Sequence, residues 1–127
     1  LGGWWLDRHP TDSSGYHPHT LVRPYDIAYG TLVSKDLCNL WVAGRCHSAE
    51  PAALASSRVT VTCMGMGQAA GTAAALAAQT GRDAREVDVA ALQSALFDDG
   101  AVLLERAEEM LRAGDEAGEV ELEGASN

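Results

Sequence analysis

The chain has 127 residues, enough for one ordinary domain with a buried core and too few for two. Its 18 acidic residues outweigh 9 basic ones, and the net charge of −9 repels phosphate backbones, so nucleic-acid binding is disfavoured. Three cysteines without a CxxC spacing indicate neither a disulfide framework nor a four-cysteine zinc site, and a cytoplasmic location is expected.

The sequence indicates neither a membrane span nor an N-terminal signal segment. No apolar run approaches the roughly 20 residues of a membrane-spanning helix, and no basic stretch precedes an apolar core at the N-terminus. We therefore expect no membrane partner. Because the chain starts at Leu1 without a methionine, we expect a fragment, a processed product or a small subunit of a larger assembly.

Residues 1–30 are rich in Gly, Pro, His, Ser and Asp with scattered aromatic side chains, a composition typical of loops and short strands. We predict no helix in this segment, and we assign it to an adjoining substrate domain. Trp4 and Trp5 follow two glycines. We interpret them as a hydrophobic clasp on a domain edge, with a substrate platform as the less favoured alternative.

A metal site in this first segment has to be considered because His9, His17 and His19 lie near two aspartates. Loop histidines are the commoner case, and a proline between His17 and His19 does not by itself fix a coordination geometry. We therefore predict no metal.

Two stretches have strand-like patterns. Residues 40–43, LWVA, are apolar and end at Gly44, which predicts a short buried strand followed by a sharp turn. Between Arg58 and Met64, apolar residues alternate with threonines, which is compatible with a second strand, although the period does not decide it.

Three helices follow. The run GQAAGTAAALAAQT, residues 67–80, consists of strong helix formers and precedes Gly81, so it predicts a helix with a clear C-terminal stop. Asp88 predicts the N-cap of a second helix, which runs to about Phe97. A third helix is expected at roughly 102–112, before a solvated acidic tail at 114–127.

The chemistry is concentrated at residues 39–81, where a glycine-rich segment leads into the alanine-rich helix. A helix start offers unpaired amide groups and a positive dipole end, which stabilise anions. Gly65, Gly67 and Ala70 also match a GxGxxA dinucleotide fingerprint, with Glu86 or Asp88 as its acidic residue. The third interpretation is purely structural, in which the small residues serve close helix packing.

Polar residues around this segment have competing interpretations. Cys46 and His47 form a possible reactive thiol with its base, but neighbouring residues on an extended chain point to opposite sides. Arg45 and Arg58 are candidates for binding an anionic group, and their structural alternative is surface pairing with Asp36 or Glu50.

Residues 39–81 resemble the C-terminal signature of FAD-dependent oxidoreductases of the fumarate-reductase-like kind. One branch of that family carries NLLVAGR followed by RVMPTCMALGQAAGTAAAL, and this chain has NLWVAGR at 39–45 and RVTVTCMGMGQAAGTAAAL at 58–76. GGWW at 2–5 and PYDI at 24–27 are similar to the family's GGWW and PYDIPY segments. The family's proline is Val61 in this chain, and its Ala-Leu pair is Gly65-Met66.

The resemblance implies an α/β fold, in which residues 31–113 form the C-terminal portion of a Rossmann-like FAD-binding domain with its last strand and an alanine-rich helix. Gly44 and Arg45 would lie beside the ribityl chain and pyrophosphate of FAD. The isoalloxazine ring would contact the helix residues Met66, Gly67, Gln68 and Ala69. A helix start at the ring favours its reduction.

By the same resemblance, Arg58 and His47 are the candidate catalytic residues. A cation there would stabilise developing negative charge, and a histidine would relay a proton. Family members begin with a strand and a GxGxxG turn that bind the ADP half of FAD, and no segment before Tyr29 matches these elements. We therefore expect an N-terminal FAD-binding portion, from the same gene or a partner subunit, to act with this chain on a small-molecule substrate.

The function predicted from the sequence is the C-terminal part of an FAD-dependent oxidoreductase that transfers a hydride or electrons and is inactive in isolation. The alternative is a non-catalytic assembly module whose acidic tail binds a partner.

Overall fold

The longest element is a helix that begins earlier than the sequence predicts. The computed structural model describes residues 1–8, 20–110 and 112. Within this part, α1 spans Pro51–Ser57 and α2 spans the 21 residues Thr60–Thr80. The possible strand at 58–64 is wrong, because these residues form the junction of the two helices and the first turn of α2. Gly81 ends α2 with a left-handed φ of 65°, as predicted.

The spacing of buried side chains explains why β-branched residues adopt a helix here. The buried positions on α2 follow one another at intervals of three or four residues, which is the period of a helical face. They are Thr62, Met66, Ala70, Ala73 and Ala77. Burial of this face outweighs the preference of the Val and Thr residues near its start for strands.

The core lies between α2 and a second helix, α3, which spans Val89–Asp98. Small side chains from α2 allow the two helices to approach closely, and leucines from α3 fill the space between them. The cluster consists of Ala73, Ala77, Val87, Leu92 and Leu96. The predicted N-cap of α3 is confirmed, since the Asp88 carboxylate accepts hydrogen bonds from two first-turn amides at 2.9 and 3.3 Å.

A further helical segment covers residues 104–110 and includes 112, close to the predicted 102–112. The acidic tail and the histidines His9, His17 and His19 lie outside the described residues. No helix in the described part of the chain is both long enough and apolar enough to cross a bilayer.

The predicted strand at 40–43 forms only an isolated antiparallel bridge, between Val33 and Trp41. Hydrogen bonds from the Val42 amide to the Leu32 carbonyl (2.8 Å) and from the Ser34 amide to the Leu40 carbonyl (3.1 Å) accompany it. The described residues contain no extended strand, and they are mostly helical. The Rossmann-like α/β architecture is therefore not confirmed, because a parallel sheet needs neighbouring strands that these residues do not supply.

The N-terminal arm, residues 1–8, lies antiparallel to residues 20–25. Bridges join Gly2 to Tyr25 and Leu6 to Thr20. The Tyr25 hydroxyl donates to Ser56 Oγ at 2.8 Å, and Ser56 donates in turn to the Trp4 carbonyl, which ties the arm to α1. A side chain at Gly2 would overlap the Tyr25 ring. Loops and short pairings are thus confirmed for the described part of 1–30, apart from a 3-10 turn that starts at Tyr29.

Tyr29 connects the bridge region to the start of the segment that leads into α3. Its hydroxyl donates to the Ala84 carbonyl at 2.6 Å and accepts from the Trp41 indole at 2.8 Å. Burial raises the pKa of this phenol, and the hydrogen bond from Trp41 opposes the rise to a smaller extent.

We expect Tyr29→Phe to lower the free energy of unfolding by about 1–3 kcal/mol, because Trp41 and Ala84 lose their partner. The raised pKa stabilises the fold below the ordinary tyrosine value of about 10, and this contribution is lost as pH rises through the folded-state pKa. Urea unfolding of both proteins at neutral and alkaline pH tests this. The wild type should lose more stability at alkaline pH than Tyr29→Phe, and parallel pH profiles would contradict the assignment.

Candidate functional site

The predicted sharp turn after residues 40–43 is present as a 3-10 turn over Gly44–Cys46. Gly44 has a φ of 66°, a left-handed conformation that favours glycine. The turn rests on α2, since a Cβ added at Gly44 would lie 3.7 Å from Cys63 Cβ, an ordinary contact distance. Backbone conformation, rather than lack of space, therefore requires glycine here.

His47 holds this turn in place. Its side chain is buried, and Nδ1 lies 2.7 Å from the Gly44 carbonyl, which also accepts from the His47 amide at 3.1 Å. Since a carbonyl oxygen only accepts, Nδ1 is the donor. Nε2 lies 3.1 Å from Ser57 Oγ, so both ring nitrogens are engaged. The geometry makes His47 a positioning residue for the turn, and its predicted proton relay stays a prediction.

The alternative of a Cys46–His47 nucleophile gains no support from these contacts. Cys46 is exposed, whereas the His47 ring is buried and its nitrogens face Gly44 and Ser57. Cys63 is half-buried, and its thiol lies 3.4 Å from the Arg58 carbonyl.

Arg58 follows α1 directly and forms an ion pair with the N-terminal arm. Its Nη2 lies 3.1 Å from Asp7 Oδ2 and 3.1 Å from the Asp7 carbonyl. The structural role that the sequence suggests for Arg58 is a surface ion pair with Asp36 or Glu50. An ion pair is present, but its acidic partner is Asp7, so the predicted partner is wrong. Both side chains are about one-third exposed, and such a pair contributes at most about 1 kcal/mol. Arg45 is exposed and has no ion pair within the described residues.

Both arginines line a cavity of about 550 Å³ at the start of α2, which we call the arginine cavity. Its wall comprises Trp4, Asp7, Arg45, Arg58 and residues 59–61. Two guanidinium groups and one carboxylate thus face the same space.

The first turn of α2 has free amide groups at this cavity. The first hydrogen bond of α2 runs from the Cys63 amide to the Val59 carbonyl at 2.9 Å, and Val59 provides no side-chain cap. The amides of residues 60–62 consequently have no partner within the described part of the chain. Together with the arginines, this arrangement can stabilise negative charge.

A second cavity of about 500 Å³, the apolar cavity, lies between the N-terminal arm, α2 and α3. Its α2 wall includes Gly65, Met66 and Ala69, and its α3 wall includes Leu92 and Leu96. Val61 lines both cavities, so the two spaces adjoin at this side chain.

The structure brings together only some of the residues predicted to contact FAD. Arg45 and Arg58 share the arginine cavity, and Met66 and Ala69 share the apolar cavity. Gly67 and Gln68 are exposed on another side of α2. The predicted helix start near Gly67 is wrong, because the helix begins at Thr60 and the free amides are those of residues 60–62.

The earlier helix start had a signal in the sequence. The resembling family has proline where this chain has Val61, and proline is tolerated in a helix at its first turn. That position therefore indicates a helix that begins near residue 60. The GxGxxA alternative loses its basis, because Gly65 and Gly67 lie inside α2 rather than in a turn before it.

No group of three or more His, Cys, Asp or Glu side chains in the described ranges could hold a metal ion. The cluster that raised this possibility in the sequence, His9 to His19, lies outside those ranges.

Comparison with known proteins identifies a family. A family model described as FAD dependent oxidoreductase matches residues 1–96, more than half of the chain. No curated protein and no solved structure gives a significant match.

Replacing Gly44 or Gly67 with alanine should change the free energy of unfolding in opposite directions. Gly44→Ala forces a side chain into a left-handed conformation and should lower the free energy of unfolding by about 1–2 kcal/mol. Gly67→Ala, in a helix interior with no atom near the added methyl, should raise it by about 0.5–1 kcal/mol. Denaturant unfolding of the two variants measures this difference, and equal effects would contradict the described turn.

Proposed function

The chain belongs to the family of FAD-dependent oxidoreductases, and we propose that it supplies the flavin-ring half of the FAD site in a redox enzyme. The observation that carries the proposal is the uncapped first turn of α2, which opens on the arginine cavity. Free amides at a helix start and adjacent guanidinium groups are suited to an electron-rich ring edge.

The residues would act by providing fixed positive charge. When bound, FAD supplies the capacity to accept a hydride or electrons, and negative charge then accumulates at the N1 and C2 carbonyl side of its ring. The amides of residues 60–62 and the Arg45 guanidinium would stabilise that charge. The amides are held by the backbone of α2, so they need no rearrangement when the charge appears, and the Gly44 turn fixes the backbone from which Arg45 projects.

Arg58 differs from Arg45 in its surroundings. Its ion pair with Asp7 fixes the guanidinium on the wall of the arginine cavity and lowers the net positive charge there. We assign Arg58 to orienting the substrate or the ring edge, and Arg45 to charge stabilisation. His47 would act through the Gly44 turn, by fixing the backbone from which Arg45 projects.

The described residues fit the ring end of FAD and not its ADP half. They contain no turn between strand and helix with the GxGxxG pattern that binds a pyrophosphate. We propose that an N-terminal FAD-binding portion, in the same gene or a partner subunit, supplies this half and completes a Rossmann-like sheet.

The exposed side of α2 supports such a partner. Val61 and Met64 are 80% and 70% exposed, and Gly67, Gln68 and Gly71 lie beside them on the outer surface. Small residues on a helix allow close packing against a sheet. We propose that this side faces the N-terminal portion, and that the enzyme acts on a small molecule in the cytoplasm. The alternative of an assembly module depends on the acidic tail, which lies outside the described residues.

Arg45→Gln in the full-length protein should weaken FAD binding about tenfold, because a charge-assisted contact is worth roughly 1.5–3 kcal/mol. Titration of the flavin-free protein with FAD, followed by quenching of flavin fluorescence, gives the dissociation constants.

Arg82→Gln is the matched control, because Arg82 is exposed and lines neither cavity. FAD affinity that is unchanged in Arg45→Gln would refute the proposed role, as would a sample containing the N-terminal FAD-binding portion that stays colourless after FAD is added.

A further inference from the structure

The apolar cavity is lined by side chains that have no role in the proposed FAD site. Its deepest side chains are nearly inaccessible to solvent, namely Leu32, Met66, Leu92 and Leu96. A volume of about 500 Å³ falls within the range of small-molecule sites, roughly 300–1,000 Å³. Such sites combine an apolar wall with a few polar groups that fix the ligand's orientation.

The polar side chains on this wall are few, and the charged ones are of one type. Among the described lining residues, Asp26 is the only acidic side chain, and no lysine, arginine or histidine side chain accompanies it. Gln93 contributes an amide from α3. The Tyr29 hydroxyl is already occupied by Ala84 and Trp41.

Asp26 is available to a ligand. It is exposed and has no ion pair or hydrogen bond within the described part of the chain. A carboxylate attracts a cation and repels an anion. The arginine cavity, on the other side of Val61, has the opposite charge preference.

We propose that the apolar cavity is a binding site for a hydrophobic organic amine, whose apolar body occupies the cavity and whose ammonium group pairs with Asp26. This site goes beyond the proposed FAD role and does not require flavin in the arginine cavity. Because Val61 belongs to both walls, a bound amine would lie directly beside the space assigned to the flavin ring.

The test compares three probes of similar shape on the full-length protein by isothermal titration calorimetry. They are phenethylamine, phenethyl alcohol and phenylacetate. The amine should bind up to about fivefold more tightly than the alcohol, because an exposed ion pair contributes at most about 1 kcal/mol, and phenylacetate should bind most weakly.

Asp26→Asn should remove the preference for the amine and leave the affinity for the alcohol unchanged. Asp36→Asn is the matched control, because Asp36 is also exposed but lines neither cavity. It should keep the preference. Equal affinities for the amine and the alcohol in the wild type, or an unaltered preference in Asp26→Asn, would overturn the proposal.

A second pair of variants tests the cavity itself. Gly65 lines the apolar cavity with open space around its α-carbon, so Gly65→Leu should occlude the cavity and abolish binding of the amine and the alcohol. Gly65→Ala should retain it. Binding that survives Gly65→Leu would place the probes elsewhere and refute the site.

Visible flavin absorption, recorded on the same samples, separates the two proposals. A yellow protein that binds no probe refutes the amine site and leaves the FAD role intact. A sample that contains the N-terminal FAD-binding portion, stays colourless with added FAD and shows the Asp26-dependent preference refutes the FAD role and supports the amine site.

Discussion

The Gly44 carbonyl is the point on which the described site depends. It accepts hydrogen bonds from both the amide and the ring of His47, and the same ring reaches Ser57 at the end of α1. The extended chain before the turn is thereby fixed to the junction where α1 ends and α2 begins. Because the imidazole is buried, these bonds are little weakened by competing water. Arg45 owes its position at the start of α2 to this connection.

Small side chains determine how the rest of the protein surrounds that point. Alanines on α2 bring α3 close, and the leucines of α3 close one side of the apolar cavity. The other side is formed by residues near Tyr29, which is held by hydrogen bonds to Ala84 and Trp41. The packing of α2 on α3 and the hydrogen bonds of Tyr29 thus shape the apolar cavity. The Gly44 turn carries Arg45 to the arginine cavity beside it. Because the chain has few aromatic residues, its core is built by close packing of helices with small side chains and not by large aromatic side chains.

Features determined by neighbouring residues could be predicted from the sequence. The stop at Gly81, the cap at Asp88 and the turn at Gly44 each depend on local backbone chemistry, and all three are present. The start of α2 is harder to predict, because the alternation of Val and Thr resembles a strand when the burial of Thr62 and Met66 is unknown. The Arg58–Asp7 pair joins residues 51 positions apart, so no local pattern could indicate it. The extended residues 40–43 show the same limit, since a strand is defined by its neighbours as much as by its own sequence.

The position of Val61 between the two cavities bears on the free energies of binding in them. Val61 lines both cavities. If an occupant of one cavity alters the affinity of the other, the two free energies of binding are linked. Linkage of this kind is reciprocal: the factor by which one occupant alters the affinity for the other is the same in both directions. Any coupling between the two chemically different spaces would therefore have its shortest path through this one valine on the outer surface of α2.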